Sequence, residues 1–324
     1  MMMFIMQKRK WNKNMIKINE LKEQQSLESC MLVSQVKDGV TVAKAPYVSV
    51  TFQDSTGSIE GKLWDIKPVQ REVLKPGSVV LVKAEVIKYR GTLQLRVVDV
   101  KEADSSMYNL EDYVTTGLIA RSDLEKEVAE AVDSITNENL QLLVRTLLIE
   151  NEEQFFKHAA AVKNHHEFVS GLATHVVGML RIANSICDLY PMLNRDLLVA
   201  GILVHDMGKM VELTDGLVPE YTMEGKLLGH ISIMQAKVAK VAEELEIEDE
   251  SVLLLRHMIL SHHGEYEFGS PVLPMIPEAE VLHMIDNLDA RMEMMRKAMD
   301  SVQEGEFTAR IFSLENRMFY KAKK

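Results

Sequence analysis

Apolar and polar residues alternate in short runs over residues 26–104, and they recur at helical spacing beyond about residue 110. In the first stretch, Met31 to Val36 runs into the turn Lys37-Asp38-Gly39. Tyr47 to Phe52 alternates and meets the turn cluster Asp54 to Gly57, and Ser58 to Trp64 alternates again. Pro76-Gly77 breaks the chain before Ser78 to Ile87, and Arg90-Gly91 turns into Leu93 to Val100. A period of two bounded by Gly, Pro, Asp and Ser marks half-buried strands, and about five of them in so short a stretch predict a small barrel or sandwich. In the second stretch, Asp123 to Asp133 and Asn139 to Leu148 are amphipathic at the helical period. Further helices are predicted over about 171–188, 196–206, 224–246, 249–262 and 277–301, with Asp249 and Pro277 as starts. The expected division is an N-terminal tail (1–25), a β domain (26–104), a helical connector (105–150) and a helical domain (151–324).

Charge sharpens this division. The chain carries −11 overall, but residues 1–104 hold 17 Lys+Arg against 12 Asp+Glu, while the remainder is strongly acidic. A basic front on an acidic body suggests that a polyanion is met first at the front. Two scattered cysteines, Cys30 and Cys187, make neither a disulfide framework nor a Cys-rich zinc site. No apolar run approaches the ~20 residues of a membrane span. Met1 to Met6 is apolar but is followed by Lys8, Arg9 and Lys10, the reverse of a secretory signal. A cytoplasmic protein is expected, with Met15 a more natural start than Met1.

The candidate chemistry lies in the helical half, where nine of the ten histidines fall between residues 165 and 283. An apolar helix, Leu197 to Val204, ends in His205-Asp206, with Gly208-Lys209 just beyond. Burying a carboxylate is costly unless it is paired or bound to a metal. Imidazole and carboxylate together suit divalent transition metals. His175, His230, His262-His263 and Asp286 come from other helices, and helical bundles can project such residues into one interior site. Asp289, in the same helix as Asp286, is an alternative to it. Lys209 reads either as a helix cap or as a phosphate-binding cation. There is no Walker A motif, no Gly-x-Ser-x-Gly elbow and no cysteine nucleophile context. Water activated by a metal and directed at phosphorus is therefore the economical chemistry.

The order His175, His205-Asp206, Asp286, with Gly208 and Lys209, resembles the signature of the HD superfamily of metal-dependent phosphohydrolases, whose fold is all-helical. The resemblance implies that His175, His205, Asp206 and Asp286 hold a first metal. With two metals, Asp206 bridges to a second held by His230, His262 and His263. With one, His230 and His262 become substrate or acid–base groups. The pair His165-His166 resembles groups that precede the first ligand in one branch of the superfamily, and is expected near the site as substrate or catalytic groups.

Phe52, Asp54, Gly57, Ile59, Gly61 and Trp64 resemble a hairpin of OB-folds. Such barrels bind single strands through basic grooves and aromatic platforms. Trp64, Lys62, Lys88, Tyr89, Arg90 and Arg96 are the candidates here, with Tyr47 behind them. Phe52 alternates like a core residue.

The whole layout, a small all-β OB-fold barrel followed by an all-α HD-domain bundle, resembles the YhaM-type 3′–5′ exoribonucleases. The likeness extends to the segment containing Leu282, Asp286 and Arg291 and to the tail from Phe307 to Tyr320, where Arg317 is a further nucleic-acid candidate. It implies a Mn²⁺-favoured enzyme, with Mg²⁺ or Co²⁺ as alternatives, that removes nucleotides from the 3′ ends of single-stranded RNA and acts on some single-stranded DNA. It implies no membrane, and a homo-oligomer is compatible with it. The competing readings are an HD phosphohydrolase acting on a small nucleotide and a non-catalytic single-strand-binding factor.

Overall fold

A computed structural model describes residues 16–40, 45–89, 91–108, 112–113, 119–158, 170–216 and 218–323. The chain forms two compact units, residues 1–116 with the short segment 216–218, and residues 117–215 with 219–324.

The first unit is a closed five-stranded barrel in the order β1-β2-β3-β5-β4. Its strands are β1 (Ser26–Val40), β2 (Pro46–Asp54), β3 (Gly57–Trp64), β4 (Val79–Tyr89) and β5 (Thr92–Glu102). The long β1 closes the barrel by pairing with β2 along one part and with β4 along another, and β3 meets β5 in parallel. The alternation read in the sequence becomes inside and outside. Val48, Val50, Phe52, Ile59, Leu63, Val82, Ala84, Val86, Leu95 and Val97 fill the interior. The β2–β3 turn is fixed by the Asp54 carboxylate, which accepts from the backbone N–H of Thr56 at 2.7 Å and of Gly57 at 3.2 Å. A six-residue helix, α1 (Pro68–Val73), enters after β3. It is too short for a periodic signal and was not expected.

The second unit is helical. Its elements are α2 (Arg121–Asp133), α3 (Glu138–Glu150), α4 (Glu152–Lys157), α5 (Gly171–Leu189), α6 (Arg195–Val204), α7 (Lys209–Glu212), α8 (Met223–Glu244), α9 (Glu250–Ser261) and α10 (Pro277–Asp300). Every residue from Leu197 to Val204 is buried, so α6 is the central helix that its unbroken apolar run suggested. Asn194 caps its start by accepting from the Leu197 N–H at 3.1 Å. Leu124, Val128, Leu140, Leu143 and Leu147 of α2 and α3 belong to the same core as α5, α6, α8, α9 and α10. The stretch expected as a connector therefore supplies two helices of this core. Among the described residues, no helix is long and apolar enough to cross a membrane.

Candidate metal centre

Five histidines and three carboxylates converge where α5, the end of α6, α8, the end of α9 and α10 meet. Asp206, almost wholly buried, stands in the middle. Its Oδ2 lies 3.5 Å from His205 Nε2 and 3.9 Å from His175 Nε2. Its Oδ1 lies 3.6 Å from His230 Nε2 and 3.8 Å from His262 Nε2. One carboxylate thus presents an oxygen to each of two histidine groups. Asp286 reaches His175 Nε2 at 3.2 Å, and the Lys209 ammonium donates to Asp206 Oδ2 at 2.7 Å.

The outer nitrogens explain why the inner ones are available. His205 Nδ1 donates to the Ile202 carbonyl at 2.9 Å, His262 Nδ1 to the Ile259 carbonyl at 2.8 Å, and His263 Nδ1 to the Phe268 carbonyl at 2.7 Å. A carbonyl can only accept, so Nδ1 carries the hydrogen in each ring and Nε2 keeps its lone pair. His230 Nδ1 is held by Glu212 at 3.0 Å and His175 Nδ1 by Asp289 at 2.7 Å. Acceptors behind histidines are the usual support of metal ligands.

The fit to a divalent cation can be tested on these atoms. The Nε2 atoms of His205, His230 and His262, and Asp206 Oδ1, are buried and make no hydrogen bond among the described residues. Leaving such a group unsatisfied costs about 1–3 kcal/mol, and four within one site call for a common partner. The donor atoms form two groups, His175 with His205 and Asp206, and His230 with His262 and His263, each spanning no more than 4.8 Å. Imidazole nitrogens and carboxylate oxygens at this density suit Mn²⁺, Fe²⁺, Zn²⁺ or Co²⁺.

Electrostatics agree with this. Burial pushes the His262 imidazole well below its usual range, and His263 and His205 beside it act in the same direction. Burial lowers His263 as well. Burial alone would raise Asp206, but Lys209 and the adjacent histidines outweigh it and hold the carboxyl well below the usual carboxylate range. Neutral imidazole and ionised carboxylate are the ligating forms. Burial also lowers His175, but Asp286 and Asp289 on its two nitrogens outweigh this and lift it to about 10.

Local backbone chemistry makes the convergence possible. Gly229 has a φ of 71°, in the left-handed region, and breaks α8 one residue before His230. A Cβ on Gly208 would lie 2.3 Å from the His230 carbonyl oxygen, so only glycine allows α7 and α8 to meet there.

The barrel carries a second candidate surface. Tyr47 and Trp64, paired across β2 and β3, stack with ring centroids 4.8 Å apart. The Lys62 ammonium lies 5.9 Å from the Tyr47 ring and 5.8 Å from the Tyr89 ring. Trp64 is 48% exposed and Tyr89 49%. Lys88 is exposed too, but as the neighbour of Tyr89 in β4 it points to the opposite face of the strand. Arg96 lies across from Lys62 but is ion-paired with Glu85. Phe52 is interior.

The HD-domain family matches residues 172–291, and the OB-fold nucleic acid binding domain family matches residues 32–103. The protein named 3′-5′ exoribonuclease YhaM of Geobacillus sp. (strain WCH70) is 46% identical over 292 residues, 90% of each chain. Its namesake in Bacillus subtilis (strain 168) is 45% identical over 307 residues, 94% of this chain and 97% of that one. The chain belongs to the YhaM 3′–5′ exoribonuclease family.

In this YhaM-family chain the HD match takes in every histidine and aspartate of the convergence. Asp286 and Asp289, alternatives in the sequence, occupy opposite sides of His175, with Asp286 on the inner nitrogen and Asp289 on the outer. His165, His166 and Arg90 lie outside the described residues. Arg317 belongs to the helical unit, where Glu315 pairs with both it and Arg291. Sequence reading missed Glu212, which accepts from the His230 backbone N–H as well as facing its ring. The available signal was a lone glutamate in the apolar turn Met210-Val211-Glu212-Leu213, where a solvent-seeking carboxylate is out of place.

Proposed function

We propose that the protein is a metal-dependent 3′–5′ exoribonuclease that shortens single-stranded RNA, and some single-stranded DNA, to nucleoside 5′-monophosphates. The observation that carries this reading is the set of Nε2 lone pairs and Asp206 oxygens facing one another inside a member of the YhaM family. His175, His205, Asp206 and Asp286 would hold one ion and His230, His262 and His263 a second, with Asp206 shared. Manganese is the ion favoured, with Mg²⁺ or Co²⁺ as substitutes. When bound, such ions lower the pKa of water and neutralise charge on phosphorus. Lys209 keeps Asp206 ionised and places an ammonium where a phosphate oxygen arrives. Asp289 and Glu212 fix the rings of His175 and His230. His165 and His166 are assigned to substrate or catalytic roles, and Trp64, Lys62, Lys88, Tyr89, Arg90, Arg96 and Arg317 to holding the strand. The functional division follows as 26–104 for strand capture and 151–324 for hydrolysis, with 105–150 joining them and lending α2 and α3 to the helical core, in a cytoplasmic homo-oligomer.

Two outcomes follow from these roles. Glu212→Ala should weaken metal binding about 10- to 100-fold, the usual effect of losing a ligand's supporting partner. A Mn²⁺ titration followed by calorimetry reads this directly, and an unchanged isotherm removes Glu212 from the role. Trp64→Ala should raise KM for long RNA about 10-fold, since stacking of one base is worth roughly 1–3 kcal/mol. It should leave kcat on a dinucleotide unchanged. Equal losses on both substrates would mean that Trp64 serves the fold instead.

The reading as a whole is tested by chromatography of products. RNA oligomers incubated with Mn²⁺ should yield nucleoside 5′-monophosphates, while deoxynucleoside triphosphates and cyclic nucleotides should stay intact. The opposite pattern favours the small-nucleotide phosphohydrolase. Binding of RNA without turnover favours a single-strand-binding factor.

A further inference from the structure

The turn that follows the α9 histidines carries two aromatic rings into solvent. Tyr266 is 63% exposed and Phe268 64%. The turn is held firmly. The Phe268 N–H donates to the Glu265 carbonyl at 3.1 Å, the Gly269 N–H to the Tyr266 carbonyl at 3.0 Å, and the Ser270 N–H to the Glu265 carbonyl at 3.3 Å. It is also tied to the metal centre itself, because the Phe268 carbonyl is the acceptor that fixes His263 Nδ1, at 2.7 Å. On the facing element, His230 follows Leu227 and Leu228, which are exposed too. The rings of His230 and His263 lie 5.2 Å apart. Exposed apolar residues thus stand close in the chain to both His230 and His263, and one of them, Phe268, is tied to His263 directly. The His175 half is bordered instead by the charges of Asp286, Asp289 and Lys209.

Neither ring belongs to the helical core, so packing does not explain them. Exposed apolar surface set beside polar catalytic groups marks a binding site. If a terminal phosphodiester lies against the histidines, as the nuclease reading requires, the base of the last nucleotide is only one sugar away. Every nucleobase has a π-face, so aromatic rings there accept any base without reading sequence.

We propose that Tyr266 and Phe268 form a stacking platform for the 3′-terminal nucleobase of the substrate. The proposal rests on the exonuclease reading and deepens it. It makes the turn a positioning device, since the acceptor that orients His263 and the ring that holds the base are parts of one residue, Phe268. Stacking of the last base would draw the scissile phosphate toward His230 and His263.

The test compares two RNA oligomers, one ordinary and one whose last residue is abasic, with full-length protein and Mn²⁺. The wild type should show a KM about 10-fold higher for the abasic oligomer. The double variant Tyr266→Ala/Phe268→Ala should show that same rise on ordinary RNA and no further rise on the abasic one. Its metal content should match the wild type. The exchange Tyr266→Phe/Phe268→Tyr should restore the low KM. An equal loss by the alanine variant on both oligomers, or no loss on ordinary RNA, would overturn the platform. Failure of the wild type to shorten either oligomer is a different result: it overturns the nuclease reading, and the platform with it.

Discussion

Asp206→Ala is expected to abolish turnover while leaving the helical fold in place. Losing an outer partner of a ligand costs about 10- to 100-fold, so losing a carboxylate that serves both histidine groups should cost on the order of 10³-fold or more. The geometry gives the reason. Oδ2 faces His205 and His175, Oδ1 faces His230 and His262, and Lys209 donates to Oδ2. Alanine removes the charge on which both groups centre and leaves the buried Lys209 ammonium without its nearest counter-charge. Metal analysis of the purified variant should show loss of bound metal, and circular dichroism should show native helix content. Retention of metal together with near-normal turnover would remove Asp206 from the centre.

The second large effect is expected on stability. Removing divalent metal with a chelator should stop turnover and also lower the melting temperature. The buried Nε2 atoms of His205, His230 and His262 and Asp206 Oδ1 have no hydrogen-bond partner among the described residues. A ligand that binds only the folded state stabilises it by about 2.7 kcal/mol at 100 times its Kd. Thermal melts at rising Mn²⁺ should therefore climb with the logarithm of metal concentration, and in Glu212→Ala the same climb should begin at about 10- to 100-fold higher Mn²⁺. A melt indifferent to Mn²⁺ would mean that these donors are satisfied in some other way. The same titration with Mg²⁺ and Co²⁺ ranks the ions.

The barrel and the central helix were readable because their signals are periodic. Alternation from Tyr47 to Trp64 became the inside and outside of a sheet, and the unbroken apolar run Leu197 to Val204 marked a fully buried segment among helical neighbours. The converging histidines were readable for a different reason. His205, His262 and His263 sit at the ends of apolar helices, where polar residues have no business in a simple core. Short elements were not readable. The helices α1, α4 and α7 are six residues or fewer and give no period. The break at Gly229 was hidden because a glycine within an apolar helical pattern does not announce a left-handed φ. Asp286 and Asp289 are three residues apart on one helix face, and only the position of His175 between them assigns one to each nitrogen. Glu212, Tyr266 and Phe268 were passed over because their roles depend on the residues they face across the fold, which spacing along the chain does not encode.

Gly208 and Lys209 illustrate how one short motif serves two ends. The glycine admits the His230 backbone, and the lysine neutralises Asp206 from the next position. The second unit is acidic, and its arginines near the site are already engaged: Glu315 pairs with Arg291 and Arg317. Divalent metal at this centre should therefore add to the attraction of a polyanion, and its removal should weaken RNA binding there as well as hydrolysis.

The most direct measurement is a digest of one single-stranded RNA labelled at its 5′ end, and of the same RNA labelled at its 3′ end, with Mn²⁺ present. A ladder of 5′-labelled products shortening one nucleotide at a time is expected. The 3′ label should be released at once as a mononucleotide, and neither result should appear with Asp206→Ala. Immediate release of the 5′ label, internal cuts, or undiminished shortening by Asp206→Ala would contradict a 3′–5′ exonuclease centred on Asp206.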